Sequence, residues 1–265
     1  MAAIKVVVTG ASGKMSREVL AALCKDPDLE PVGAVSQSAQ EEYLPLPGGA
    51  GLIPLSKELG PLLDRVRPDV MVDFTSAAYA VGAAKTAIAH GVRPVIGTSG
   101  LSPQDVEELR KLCAQAQLGG VVAPNFALGA VVMMHLANVA ARFFDYAEII
   151  EMHHEAKADA PSGTAIATAR AMAQARGKEF VTAPTLKETL PHPRGSVVDG
   201  IPVHSMRLPG LMAHQEIVLG SLGQTLRIRH DALSLECYMP GVVMAIKEVM
   251  QRKELVFGLD RLLGL

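Results

Sequence analysis

Short, almost continuous apolar runs recur along the first half of the chain, each followed by a longer stretch in which alanine and leucine return at helical spacing. Ile4 to Thr9 reads as a buried strand and Met15 to Lys25 as the helix after it. The runs EPVGAVS, PDVMVDFT, RPVIGTS and GGVVAPN read as four more strands. Helical spacing returns over Ala77 to His90, closed by Gly91, and over Pro103 to Gln117, where Ser102 offers an N-cap and Pro103 a first helical residue. Strand and helix in alternation predict a parallel sheet with right-handed crossovers, and hence an α/β, doubly wound Rossmann-like domain. The Pro- and Gly-rich segment EEYLPLPGGAGLIPLSKELG breaks that rhythm and predicts a surface excursion.

After Phe126 the pattern changes. An apolar helix is expected from about Leu128 to Phe144, then the strand YAEIIEMH, a loop, and the helix SGTAIATARAMAQARG with Gly177 as its C-cap. VHSMRLP, HQEIVLGS and QTLRIRHD follow with no helix between them, which predicts an α+β domain with an open mixed sheet. PGVVMAIKEVMQR restores a helix. The expected division is therefore residues 1–125 as a dinucleotide-binding domain, completed by 238–265, and residues 126–237 as a substrate-binding and oligomerisation domain.

Composition narrows the function. The 265 residues are 49% hydrophobic, enough for one large core or two ordinary ones. Twenty-five Lys and Arg against 27 Asp and Glu leave a net charge of -2, with no basic stripe or acidic tail, which argues against nucleic acid and membrane surfaces as partners. Cys24, Cys113 and Cys237 are widely spaced and odd in number, as expected of reduced thiols. The opening MAAIKVVVTG is a poor signal peptide, and no apolar run reaches the roughly 18 residues of a membrane helix, so a soluble, cytoplasmic protein is expected.

Chemistry begins at VVVTGASGKMSRE. Gly10 and Gly13 lie between a strand and a helix, where backbone N–H groups can approach a pyrophosphate at the helix N-terminus. The spacing is Gly-x-x-Gly, with Ser16 where a third glycine often lies. VDFTS, GTSG and APNF each end a predicted parallel strand in small or polar residues, on the side where open α/β sheets bind ligands. At the end of the second strand stand Ser36 and Gln37, where a carboxylate or an arginine usually tells NADH from NADPH. In EMHHEAKADAPSGTA, alternation puts Glu151 and His153 on one strand face and Met152 and His154 on the other. His153 can supply a proton near neutral pH, Lys157 a positive charge or a second proton, and Gly163 with Thr164 the donors of a helix N-terminus suited to a carboxylate. Solvated loop histidines are the plain alternative. A metal site is disfavoured because His-His-x-x-Lys lacks a third ligand. His135 reads as a core histidine, and Glu151 reads equally well as a structural ion-pair partner and is left out of the site.

EIIEMHHEAKADAPSGTA resembles the signature of the dihydrodipicolinate reductase (4-hydroxy-tetrahydrodipicolinate reductase) family, and the resemblance extends through GASGKM, DFTS, GTSG, APNF and RIRHDALSLECYMPGVVMAI. It implies hydride transfer from NADH or NADPH to a cyclic imine dicarboxylate, giving tetrahydrodipicolinate in the diaminopimelate route to lysine. By the same resemblance His153 exchanges the proton, Lys157 donates one, and His154, Gly163 and Thr164 contact the substrate. The cofactor would be lined by Gly10, Ala11, Ser12, Gly13, Lys14 and Met15. Gly97, Thr98 and Ser99, then Ala123, Pro124, Asn125 and Phe126, would join them, with Thr75 from DFTS. A homotetramer assembled through the open sheet is implied as well. Ser16 and Leu235 depart from residues common in the family. Two alternatives stay open: a related two-domain NAD(P)-dependent dehydrogenase acting on another small carboxylate, and a nucleotide-sensing protein without catalysis.

Overall fold

The structure is a computed structural model that describes residues 2–191 and 193–265; Met1 and His192, one in each expected domain, lie outside the described residues. The chain divides into two compact units, one ending at Leu128 and joined by Tyr238–Leu265, the other Gly129–Cys237. The first contains β1 (Ile4–Thr9), α1 (Lys14–Lys25), β2 (Leu29–Val35), β3 (Tyr43–Pro45), β4 (Leu52–Ser56), α2 (Leu59–Val66), β5 (Val70–Asp73), α3 (Ala77–Ala89), β6 (Arg93–Ile96), α4 (Pro103–Ala116) and β7 (Gly120–Val122). The chain continues through α5 (Leu128–Ala141), β8 (Tyr146–His153), α6 (Gly163–Arg176), β9 (Ser196–Val198), β10 (Ile201–Arg207), β11 (Ala213–Ser221) and β12 (Gln224–Ala232). It ends with α7 (Met239–Val249), β13 (Leu255–Phe257) and α8 (Leu259–Leu263).

The first sheet has the order β13-β7-β6-β5-β1-β2-β4-β3 and is parallel except for β3. Val6, Val7 and Val8 of β1 are buried on both faces, as a central parallel strand requires. From β1 the chain winds to β2 on one side and later to β5 on the other, so the strand order reverses between β1 and β5. A ligand crevice belongs at the carboxyl ends of those two strands. α4 starts with a capping box, Ser102 accepting from the Asp105 N–H while the Asp105 carboxylate accepts from the Ser102 N–H. α7 buries Val242, Ala245, Ile246 and Val249, and Lys247 Nζ lies 2.9 Å from Asp26 and 2.7 Å from Asp28.

Two expectations need correction. The 41–60 segment is not merely a surface excursion, because β3 and β4 extend the sheet and β4 pairs in parallel with β2. Those strands have three and five residues, too short for a period to show, and Gly48 and Gly49 turn between them with φ of 69° and 74°. The chain end adds more than a helix: β13 pairs with β7 as a further parallel strand.

The second unit has the sheet order β12-β11-β8-β10-β9, with β8 and β10 parallel and the remaining pairs antiparallel. Ile149, Ile201, Val203, Ile217 and Leu219 pack beneath Met133, Ala137, Ala165, Ala169 and Met172 of α5 and α6. Among the described residues no helix is long and apolar enough to cross a membrane.

Candidate active site

In the first unit Gly10, Ser12, Ser36, Gln37, Thr75 and Tyr79 line a crevice of about 350 Å³. Gly10 has φ +67°, and a Cβ there would lie 2.6 Å from Thr75 Cγ2, so this turn admits only glycine. Gly13 is the N-cap of α1, and its N–H donates to Gly10 O at 2.8 Å. The first N–H groups of α1, from Lys14 and Met15 onward, have no partner within the helix and carry its positive end. Ala11 is buried and its N–H goes to Val35 O at 2.9 Å, whereas Ser12 and Lys14 are exposed. Ser16 is no defect in this turn: it is buried, and its hydroxyl donates to Thr9 O at 2.9 Å, holding the strand end against the helix.

Asp73, absent from the sequence expectations, organises the strand ends. It is fully buried and accepts from Thr9 Oγ1 at 2.5 Å, Thr98 Oγ1 at 2.6 Å, and Thr75 through both its N–H (3.1 Å) and its hydroxyl. One carboxylate thus ties the ends of β1, β5 and β6 together, and the Thr75 and Thr98 hydroxyls are spent on it. Gly97 is needed because a Cβ would fall 2.0 Å from the Phe74 ring. That ring meets Phe126 edge-on at 5.6 Å, and Phe126 is 1% exposed. Ala123 is also buried, while Ser99 and Pro124 are exposed and Asn125 Oδ1 accepts from the Ala127 N–H at 2.9 Å.

The wall beyond the crevice is neutral. Ser36 Oγ lies 3.4 Å from Ser12 Oγ and 3.1 Å from Ser38 Oγ. Ser12, Ser36 and Ser38 also face an adjoining cavity of about 560 Å³ that carries Arg17 and Glu41 on an otherwise largely apolar lining. A glycine-built turn at a strand-order switch, a helix N-terminus and these hydroxyls fit a nicotinamide dinucleotide.

In the second unit the signature residues gather around Glu151, which is 0% exposed. Glu151 Oε2 lies 2.5 Å from His153 Nδ1, and both carboxylate oxygens accept from Arg207 at 2.9 Å. The Ser162 N–H adds a bond to Oε1 at 3.2 Å. Burial alone would raise the Glu151 pKa, but the bonds from Arg207, Ser205 and His153 outweigh it and hold the carboxyl below its usual range. Burial pushes His153 below the ordinary histidine value; Glu151 opposes this, and Lys157 and Arg207 add to it. In the free protein His153 is therefore mostly neutral at pH 7.

α6 begins at Gly163 after Ser162, whose hydroxyl accepts from the Ala165 N–H at 3.2 Å. A Cβ at Gly163 would meet nothing within 4 Å, so the helix N-terminus is open. Thr164 is half-buried beside it, and His154 is exposed. Lys157 Nζ lies 2.6 Å from Asp159 Oδ1. That hydrogen bond holds the Asp159 carboxyl below its usual range, and the Gly163 N–H contributes too. Glu151, Arg207 and Asp159 thus join the expected His153, Lys157, Gly163 and Thr164. Glu151 carried a signal, its i,i+2 place on the same strand face; Arg207, more than fifty residues away, carried none.

Residues 4–126 match the family described as dihydrodipicolinate reductase, N-terminus, and residues 129–263 the one described as dihydrodipicolinate reductase, C-terminus. A 4-hydroxy-tetrahydrodipicolinate reductase of Dehalococcoides mccartyi is 56% identical over 265 residues, covering 100% of both chains. The enzyme of that name from Moorella thermoacetica is 48% identical with 99% of each chain covered. A solved structure of dipicolinate-bound dihydrodipicolinate reductase from Paenisporosarcina sp. TG-14 superposes with a TM-score of 0.88 at 39% identity, covering 98% of this chain and 99% of that one. An amine dehydrogenase from Mycobacterium smegmatis shares the fold, with a TM-score of 0.69 at 17% identity.

Proposed function

The chain belongs to the dihydrodipicolinate reductase family and is an NAD(P)H-dependent 4-hydroxy-tetrahydrodipicolinate reductase of lysine and diaminopimelate biosynthesis, and from that premise we propose how its residues divide the work. Reduction of the unsaturated cyclic imine dicarboxylate to tetrahydrodipicolinate adds one hydride and one proton, the hydroxyl of the 4-hydroxy substrate leaving as water. The nicotinamide cofactor supplies the hydride when bound. The β1–α1 turn from Gly10 to Met15 holds its pyrophosphate, and Ser36 and Gln37 meet its ribose. Both forms of the cofactor are used, since neither residue carries the charge that separates them.

Lys157 and the α6 N-terminus at Gly163 and Thr164 hold a substrate carboxylate, with His154 at the rim. His153 gives the proton. It is mostly neutral before substrate arrives, and two carboxylates brought close raise its pKa and load it with the proton it then donates. The observation that carries this assignment is the His153 side chain, 15% exposed, anchored by Nδ1 on a buried carboxylate and so left with Nε2 for the ligand. The Paenisporosarcina relative binds dipicolinate; the same planar dicarboxylate should inhibit this enzyme in competition with substrate. A homotetramer in the cytoplasm is the expected working form. Its contact surface would be the sheet face opposite α5 and α6, where Met206 and Val197 are 40% and 58% exposed.

The test is oxidation of NADH and NADPH with substrate generated by the preceding synthase. His153→Gln should lower kcat by roughly 10²- to 10³-fold with little change in cofactor affinity. Wild-type turnover in that variant would remove His153 from the mechanism.

A further inference from the structure

Most buried groups in the second unit are explained by packing. The carboxylate of Glu151 is not: it sits fully buried at the end of β8, two residues before the proton donor, and takes a bidentate bond from an arginine on a neighbouring strand. A carboxylate has about four acceptor sites. Those of Glu151 receive His153 Nδ1, two Arg207 nitrogens and the Ser162 N–H, and the Ser205 hydroxyl bonds the carboxylate as well. Arg207 is itself stretched between tasks: one terminal nitrogen also reaches Asp159 O at 2.5 Å, and its Nε is buried with no hydrogen-bond partner. Leaving a buried donor unmet costs about 1–3 kcal/mol, so the guanidinium is posed for its two ends and not for its own satisfaction.

We propose that Glu151, braced by Arg207, is a positioning residue that fixes the tautomer of His153 and couples it to the loop presenting Lys157 and the α6 N-terminus. With Nδ1–H donated to Glu151, only Nε2 is available to the substrate. When His153 is doubly protonated, the Nε2–H bond breaks, that proton goes to a substrate carbon, and the ring keeps its Nδ1 proton. Glu151 itself never gains it, because Arg207 keeps the carboxylate charged. Through Ser162 N–H and Asp159 O the same pair ties the end of β8 to both ends of the 159–162 turn, so the proton source and the carboxylate cradle are set by one anchor. The other groups facing the pair are neutral or already named: Ser205 on β10 and Gln215 on β11 lie opposite Glu151, and Lys157 and Asp159 stand on the loop.

This rests on His153 as proton donor, so the test includes a reading independent of turnover. Imidazole ¹⁵N NMR of the full-length protein at alkaline pH should show His153 as the Nδ1–H tautomer, and Glu151→Gln should mix in the Nε2–H form. The same variant should lower kcat by about 10- to 100-fold with KM for NADPH unchanged. The limb of the pH profile that falls as the acid loses its proton should move to lower pH, because the charge that favours imidazolium is gone. Since Glu151→Gln strands the Arg207 charge, the double variant Glu151→Gln with Arg207→Met is measured beside it. That variant should regain thermal stability yet keep the low kcat and displaced profile. If it regains turnover and profile along with stability, or if Glu151→Gln leaves the tautomer unchanged, the pair is only structural and the inference is overturned. If instead His153→Gln turns over normally while the tautomer behaves as expected, the proton-donor reading fails and the positioning geometry stands.

Discussion

Replacing Asp159 with asparagine asks what the free site does with its cation. Lys157 Nζ sits 2.6 Å from Asp159 Oδ1, and the Gly163 N–H also supports that carboxylate, so both groups assigned to the substrate carboxylate are engaged by one of the chain's own. Asp159 then stands in for the ligand and must yield when it arrives. The lysine side chain is 23% exposed and the aspartate 57%, which makes the pair a surface one worth about 0.2–1 kcal/mol. Removing the competitor should lower the substrate KM, and the inhibition constant of dipicolinate, by about 1.4- to 5-fold, with kcat changed less than twofold. Added salt should narrow the gap between variant and wild type, because screening weakens an exposed pair. The pair should also fail at low pH: the carboxyl's folded-state pKa is depressed, so its contribution is present above the ordinary aspartate value and lost as pH falls through the lowered one. Steady-state kinetics at saturating NADPH measure the effect. A KM that rises severalfold in the variant would mean that Asp159 orients Lys157 for the substrate and does not compete with it.

Lys157→Met should raise the substrate KM and lower kcat together, since it removes a charge facing a carboxylate and a possible donor; a loss of stability alone would refute the assignment. The neutral wall of Ser36 and Gln37 should give at most about tenfold preference between NADH and NADPH, as a neutral hydrogen bond is worth about 0.5–1.5 kcal/mol net. Gln37→Arg should shift preference to NADPH and Ser36→Asp to NADH. A wild-type preference above about 100-fold, near 2.7 kcal/mol, would mean that another residue reads the ribose. Light scattering at micromolar concentration should report a tetramer, and a stable monomer would contradict the exposed sheet face as a subunit contact.

Local signals made much of the fold readable. β1, β2, β5 and β6 are apolar runs bounded by polar turns, and α4 announces itself through Ser102 and Pro103, both of which occupy the expected cap positions. The αL residue Gly177, with φ of 71°, closes α6 where its sequence said it would. What escaped was held by partners distant in sequence. β3 and β4 are strands because β2 offers an edge, and β13 because β7 does; none has enough residues to show alternation by itself.

The site divides along the same line. The string from Glu151 to Thr164 is contiguous, so alternation along β8 and the proline before the helix sufficed to set His153, Lys157 and Gly163 in order along it. Asp73 was visible as an acid closing an apolar strand. Its meaning depends on Thr9 and Thr98, 64 and 25 residues away, which a parallel sheet sets beside it. For Glu151 the sequence left two readings, an ion-pair partner and a member of the site, and these are not exclusive. The register that sets Arg207 opposite His153 in the parallel β8–β10 pair lets one carboxylate be both. An isolated Glu–His contact would leave a buried charge to be neutralised by protonation. With the guanidinium bound to both oxygens, Glu151 stays ionised and can hold His153 in one orientation through the proposed cycle in which the histidine gains and loses a proton.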